Sequence, residues 1–208
     1  MGGLAVGNYD LPAQPGSSIL PAYDYIYNIA TKQFVTHIVY PGSTSDTAYG
    51  IWSNGGTSYT IVGGYSDANA SNATDQNQPI GQGYIVDYNS VTNTFSNWTS
   101  IGYPGPAGSN LLTHFEGISE LKPNVYTLNA DSTESGSGGN TGYASFVTVR
   151  REPNGTFNAV KWVNLSYPGV SSSLSSNAVY GNDVVGIGLG SNAFAYQAVV
   201  HPGARGAR

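Results

Sequence analysis

Apolar and polar positions alternate along most of the chain. In "YDYIYNIATKQF" (Tyr23 to Phe34) an aromatic ring stands at every second residue, a polar turn follows, and Phe34 opens a new run. "GYIVDYNSVTNTF" (Gly83 to Phe95) and "GYASFVTVRREPNGTF" (Gly142 to Phe157) have the same build. A period of two is the mark of a β-strand, and clusters of Asn, Thr and Gly mark the turns between strands. No stretch keeps a 3.6-residue period over three turns, so no helix is expected.

A tripeptide punctuates these runs at nearly constant spacing: Tyr40-Pro41-Gly42, Tyr103-Pro104-Gly105 and Tyr167-Pro168-Gly169. Other features fall into register with it, which distinguishes a repeat from coincidence. Downstream come "TAYGIW", "HFEGIS" and "SNAVYG", then "YTIVGGYSD", "YTLNADS" and "VVGIGLG". Each unit reads as four short strands in a meander. The expected fold is therefore all-β, a β-propeller-like repeat of four-stranded antiparallel sheets. The units run over about 23–67, 83–132 and 142–190, with single strands at 4–10 and 192–200 and a flexible tail at 201–208. The end strands could pair to close a ring, or an open edge could be covered by another copy, giving a homo-oligomer. Pro fixes φ and Gly admits conformations other residues avoid, so Tyr-Pro-Gly itself reads as a turn.

Composition agrees with many strands and tight turns. Only 9% of the 208 residues are charged, while Gly (28) and Tyr (16) are abundant. The formal net charge is −5 and Lys and Arg are scattered, so neither nucleic acid nor an anionic membrane is an expected partner. The chain has no Cys, which removes disulfides, thiolate metal sites and a cysteine nucleophile together. No run approaches the roughly 20 apolar residues of a membrane span. "MGGLAVGNYD" lacks a basic leader, so no signal peptide is expected in it.

The segments "AYGIWSNGGTSYTIVGGYSD", "GYIVDYN", "TFSNWTSIGYPG" and "NAFAYQ" resemble the repeat of bacterial extracellular proteins called HAF repeats. The likeness spans Leu4 to Val200. The period here is longer than the roughly 40 to 45 residues of short blades. The family's His is replaced by Asp24, Gly83, Gly142 and Asn192 at the nearest positions. The resemblance implies a secreted or surface-associated repeat protein without an established activity, and it supplies no catalytic residues.

Three constellations are candidates for chemistry. In "LTHFEGISE", His114 and Glu116 are two residues apart, which on an unbroken strand places them on one face. They suit an acid/base pair or two metal ligands, with Asp131 as a further carboxylate, and equally a hydrogen-bonded pair at a sheet edge. "SDANASNATDQN" holds Asp67, Asn69, Asn72, Asp75 and Asn77, oxygen ligands suited to Ca²⁺ or, alternatively, a polar loop of Asx turns. Asp10, Asp67 and Asp131 align at one repeat position, which favours a turn role. Trp52, Trp98, Trp162 and Tyr103, with Tyr40 and Tyr167, are rings beside amides and hydroxyls. Such rings build sugar-binding surfaces, or simply cover sheet edges. Gly-x-Ser-x-Gly is absent, and "GLGSNAF" precedes no expected helix, so neither a serine hydrolase nor a nucleotide site is expected.

The sequence thus points first to a non-catalytic extracellular binding, adhesion or scaffold module, with carbohydrate as a candidate ligand. A propeller-type glycan hydrolase or lyase using His114, Glu116 or Asp131 is the alternative. A structural piece of a larger surface assembly is the third reading.

Overall fold

The computed structural model describes residues 3–10, 22–67, 81–105, 111–134, 142–167, 174–189 and 193–201. These residues form 14 strands and no helix. The first sheet holds β1 (Leu4–Asp10), β2 (Ala22–Asn28) and β3 (Gln33–Ile38). The second holds β4 (Ser43–Gly55), β5 (Ser58–Asp67), β6 (Gly81–Asn89) and β7 (Thr94–Ile101). The third holds β8 (Leu111–Lys122), β9 (Val125–Glu134), β10 (Gly142–Arg151) and β11 (Phe157–Asn164). β12 (Leu174–Tyr180), β13 (Asp183–Leu189) and β14 (Ala193–Val199) make the fourth. Each sheet is an antiparallel meander in chain order.

Sheets change at the Tyr-Pro-Gly turns, so the unit 23–67 read from the sequence spans the boundary between two sheets. At the first of these turns the Tyr40 carbonyl accepts the Ser43 N–H, and Gly42 sits at φ 85°, where a side chain would be strained. That geometry is a type II turn, with Pro at its second position and Gly at its third. The hairpins after β2 and β6 are likewise copies of one another. Asn28 Oδ1 accepts the N–H groups of Ala30 and Thr31, and Asn89 Oδ1 accepts those of Val91 and Thr92. Four residues after each Asn, Lys32 and Asn93 take positive φ.

The expected pairing of the end strands does not occur. β1 pairs only with β2, and β14 only with β13. Four stacked sheets leave three interfaces, each with its own apolar core. Ile26 and Ile38 of the first sheet meet Tyr59, Ile61, Tyr84 and Tyr88 of the second. Val62 and Ile85 of the second meet Phe115, Tyr126, Leu128 and Phe157 of the third. Phe146 of the third meets Val184 and Val200 of the fourth. Each sheet thus has a forward face, toward the next sheet, and a rear face, toward the one before.

Close approach is arranged by Gly lying opposite Tyr in three of the four sheets. The register pairs are Gly7 with Tyr25, Gly63 with Tyr84 and Gly186 with Tyr196. A Cβ at Gly63 would stand 1.9 Å from the Thr47 carbonyl oxygen and 2.9 Å from the Tyr84 hydroxyl, so no side chain fits there. In the third sheet Ala130 and Ser145 replace this pair.

The interface of the second and third sheets also holds a partly buried ion pair. Arg151 reaches from β10 to both carboxylate oxygens of Asp87 on β6, and its guanidinium lies over the Phe157 ring at 4.4 Å. Thr60 Oγ and Asn97 Nδ2 also donate to Asp87, so the carboxylate is fully engaged.

Candidate functional site

β4, β8 and β12 open the second, third and fourth sheets, and each carries a bulge at the same place. The register slips between Ala48 and Gly50, between Phe115 and Gly117, and between Ser176 and Ala178. The extra residues are Tyr49, Glu116 and Asn177. A bulge kinks its strand and re-aims one side chain, and such bulges gather at rims and sites. Each of these three sheets therefore offers a chemically different residue at one structural position.

The bulge changes the expected relation of His114 to Glu116. Same-face placement at i and i+2 requires an unbroken ladder, and Glu116 is the residue that breaks it. His114 is paired across the ladder with Asp131 and stands over Gly64 of the second sheet. A Cβ at position 64 would come within 2.3 Å of the His114 ring. Burial alone pushes His114 down to about 4, with no carboxylate raising it, so the imidazole is neutral near pH 7. Burial pushes Glu116 up to about 7, and neighbouring Asp131 adds to the rise. Tyr49 is raised by burial and then by Glu116.

Asp131 is raised to about 6 by burial, held back by two bonds from the fourth sheet. The Ser176 N–H and Oγ–H both donate to its Oδ1, at 2.7 and 2.8 Å. The shared position for Asp10, Asp67 and Asp131 fails by register. Asp131 lies opposite Ala144, as Gly64 lies opposite Gly83, whereas Asp10 lies opposite Ala22, as Ser66 lies opposite Gly81. Asp131 is mid-strand and clasps the next sheet; it has no turn role.

His114, Glu116 and Asp131 thus gather at one level of the third sheet. What they offer chemically is a carboxyl group that exchanges a proton near neutrality beside a phenol. Among the described residues no group of three or more His, Asp or Glu side chains is placed to hold a metal ion. Of the calcium candidates, Asn69, Asn72, Asp75 and Asn77 lie outside the described residues, and Asp67 is described only as the last residue of β5.

Most of the candidate rings are consumed by packing. Tyr40 stacks on Tyr65 at 3.7 Å and meets the edge of Trp98. Tyr103 stacks on Tyr143 at 5.2 Å and meets the edge of Trp162, and its hydroxyl accepts the Asn164 amide. Tyr167 packs against Phe194 at 4.6 Å. In all three cases the Tyr of Tyr-Pro-Gly leaves one sheet and folds onto the rear face of the next. Its backbone is pinned there too, because Asp46 Oδ1 accepts the Tyr40 N–H and Thr113 Oγ accepts the Tyr103 N–H.

Trp52 is different. It packs partly against the core, its Nε1 is buried without a hydrogen-bond partner among the described residues, and the residue lines a cleft of about 480 Å³. Leu4, Ile51, Tyr59 and Tyr180 complete the walls with Ser53 and Gly55, and none of these lining residues is charged. Tyr180, at 77% exposed, is the most open ring of the group. The sequence pattern did not single out Tyr59 and Tyr180, because a cleft assembled from the first, second and fourth sheets leaves no local signature.

A second hollow, of about 450 Å³, lies on the rear face of the first sheet between Tyr9, Phe34, Val35, Thr36 and His37. No protein-family model and no curated protein matches the chain.

Proposed function

We propose that the chain is a non-catalytic binding and scaffold module of a secreted or cell-surface repeat protein. Its ligand is a neutral carbohydrate polymer taken up in the Trp52–Tyr59–Tyr180 cleft. The carrying observation is that cleft: Trp52, Tyr59 and Tyr180 line one hollow whose described lining carries no charge, in a molecule whose other candidate rings pack against neighbouring rings. Ring faces stack on the C–H faces of sugars, and the absence of charge among the described lining residues suits a neutral polymer. The proposal includes a propeller-like course of the sheets round one axis, which is supported by Leu4 of the first sheet and Tyr180 of the fourth lining the same cleft. The resemblance to HAF repeats supports the extracellular setting.

A glycan array followed by titration of tryptophan fluorescence tests the reading. Tyr180→Ala removes an exposed ring without opening the core, and should weaken binding by about tenfold or more. No signal on any neutral glycan, or an unchanged affinity in that variant, overturns the site. The second reading, a glycan hydrolase or lyase, is favoured by the Glu116 carboxyl at about 7. If the same glycans are cleaved and Glu116→Gln abolishes cleavage, that reading replaces the first.

A further inference from the structure

Two of the three internal interfaces share a polarity; at the third, Phe146 of the forward face meets Val184 and Val200. Rear faces are aromatic: Tyr59, Tyr84 and Tyr88 on the second sheet, and Tyr126, Phe157 and Trp162 on the third. Forward faces bring mostly aliphatic side chains to meet them, such as Ile26, Val62 and Ile85. Two faces of the stack remain open, and they are one of each kind. The rear face of the first sheet carries Tyr9, Tyr23, Tyr25, Tyr27 and Phe34, whose rings form one connected cluster with centroids 4.8 to 6.2 Å apart. Phe34 is 65% exposed. The forward face of the fourth sheet carries Val185, Ile187 and Val199, each about half exposed. Its polar pair is satisfied internally, since Gln197 Nε2 donates to Asp183 Oδ1 at 3.0 Å.

We propose that these two faces join between copies: the forward face of the fourth sheet packs on the rear face of the first sheet of a second copy, head to tail. The contact continues an interface this chain already builds twice, between its first and second and its second and third sheets. The open positions correspond to the covered ones, because Tyr25 matches Tyr84 through the Gly pairing and Val185 matches Val62 by its register against the bulge. Aliphatic side chains would fill the hollow between Tyr9 and Phe34 as Ile26 and Ile38 fill that beneath Tyr84 and Tyr88. A contiguous apolar face of this kind is a mark of an interaction surface. Both halves occur once per copy, so the contact is heterologous and builds rings or open filaments rather than a two-fold dimer by itself.

The experiment is mass in solution by sedimentation, for the wild type and for Phe34→Glu and Ile187→Glu, with circular dichroism to check that each variant keeps its sheets. Both substitutions lie on exposed positions, and each should abolish assembly alone. Mixed in equal amounts, the two variants should form a one-to-one complex and stop there. The Phe34→Glu copy keeps an intact forward face and the Ile187→Glu copy an intact rear face. A monomeric wild type, an Ile187→Glu variant that still assembles, or a mixture that stays monomeric each overturns the proposal. The glycan site is read separately through Tyr180→Ala, so either proposal can fail without the other.

Discussion

The first and second sheets carry the same local device in opposite circumstances. Gly7 faces Tyr25 on the first, and Gly63 faces Tyr84 on the second. Tyr84 is fully buried, and its hydroxyl donates to Asp24 Oδ2 at 2.8 Å across the interface. Tyr25 lies within an open aromatic face beside Phe34. One motif thus yields a core residue when a sheet stands before it and a surface residue when none does. Burial also transforms the partner. Asp24, covered by the second sheet, is pushed up to about 8, the Tyr84 hydrogen bond offsetting part of the rise and Asp46 adding to it. Its Oδ1 has no partner among the described residues, which favours the protonated acid.

The comparison breaks most visibly on truncation of the ring. Tyr84→Ala should cost about 3–5 kcal/mol, the range for large aromatic deletions in cores. Tyr25→Ala should cost less than about 1 kcal/mol in the dissociated protein, because its ring closes no core. Urea denaturation of both variants checks the contrast, and equal losses would mean that the first sheet's rear face is covered.

Adding a methyl group at the matching glycines gives a smaller effect of the same kind. Gly63→Ala meets backbone, the Thr47 carbonyl, and should cost about 1–3 kcal/mol as an overpacked core. At Gly7 the new Cβ meets the Tyr25 ring and hydroxyl, at 2.7 Å from the oxygen, and that side chain can swing toward solvent. Gly7→Ala should therefore stay within about 0.5 kcal/mol, read from the same denaturation midpoints.

The finest test is pH. Asp24 at about 8, Glu116 at about 7 and Asp131 at about 6 all lie above their ordinary values. The folded protein keeps protons there that the unfolded chain has released, so stability falls as pH rises from about 4 toward 8. His114, lowered to about 4, works the other way, but only below its ordinary value of 6.5. Between pH 6.5 and 8 the acids dominate, and the slope should average about −1.5 kcal/mol per pH unit. Asp24→Asn should flatten most of it. A stability that rises over this window would contradict the buried, protonated Asp24.

Much of this architecture was legible because β-structure writes a period of two into the chain. The Tyr23–Tyr25–Tyr27 alternation, the Asn-initiated turns and the Tyr-Pro-Gly spacing announced strands, hairpins and the breaks between sheets. The site was less legible. His114 and Glu116 look like neighbours on paper, and the bulge that separates their roles exists only as a mismatch with β9. The sequence alignment placed Asp131 at the position of Asp67, three residues from its register match at Gly64, while its true register turns it toward Ser176. The rings of Tyr40 and Tyr103 read equally as ligand platforms or covers, since only the sheet that follows shows what they stack on.

By itself the sequence determined that this is an all-β chain of short antiparallel strands, because side-chain alternation and turn chemistry are local properties. Only the tertiary structure decided where one sheet ends and the next begins, which bulge residue faces which neighbour, and which aromatic faces are covered. Those depend on hydrogen-bond register and on packing between sheets, and a one-residue slip in either moves a side chain from core to surface.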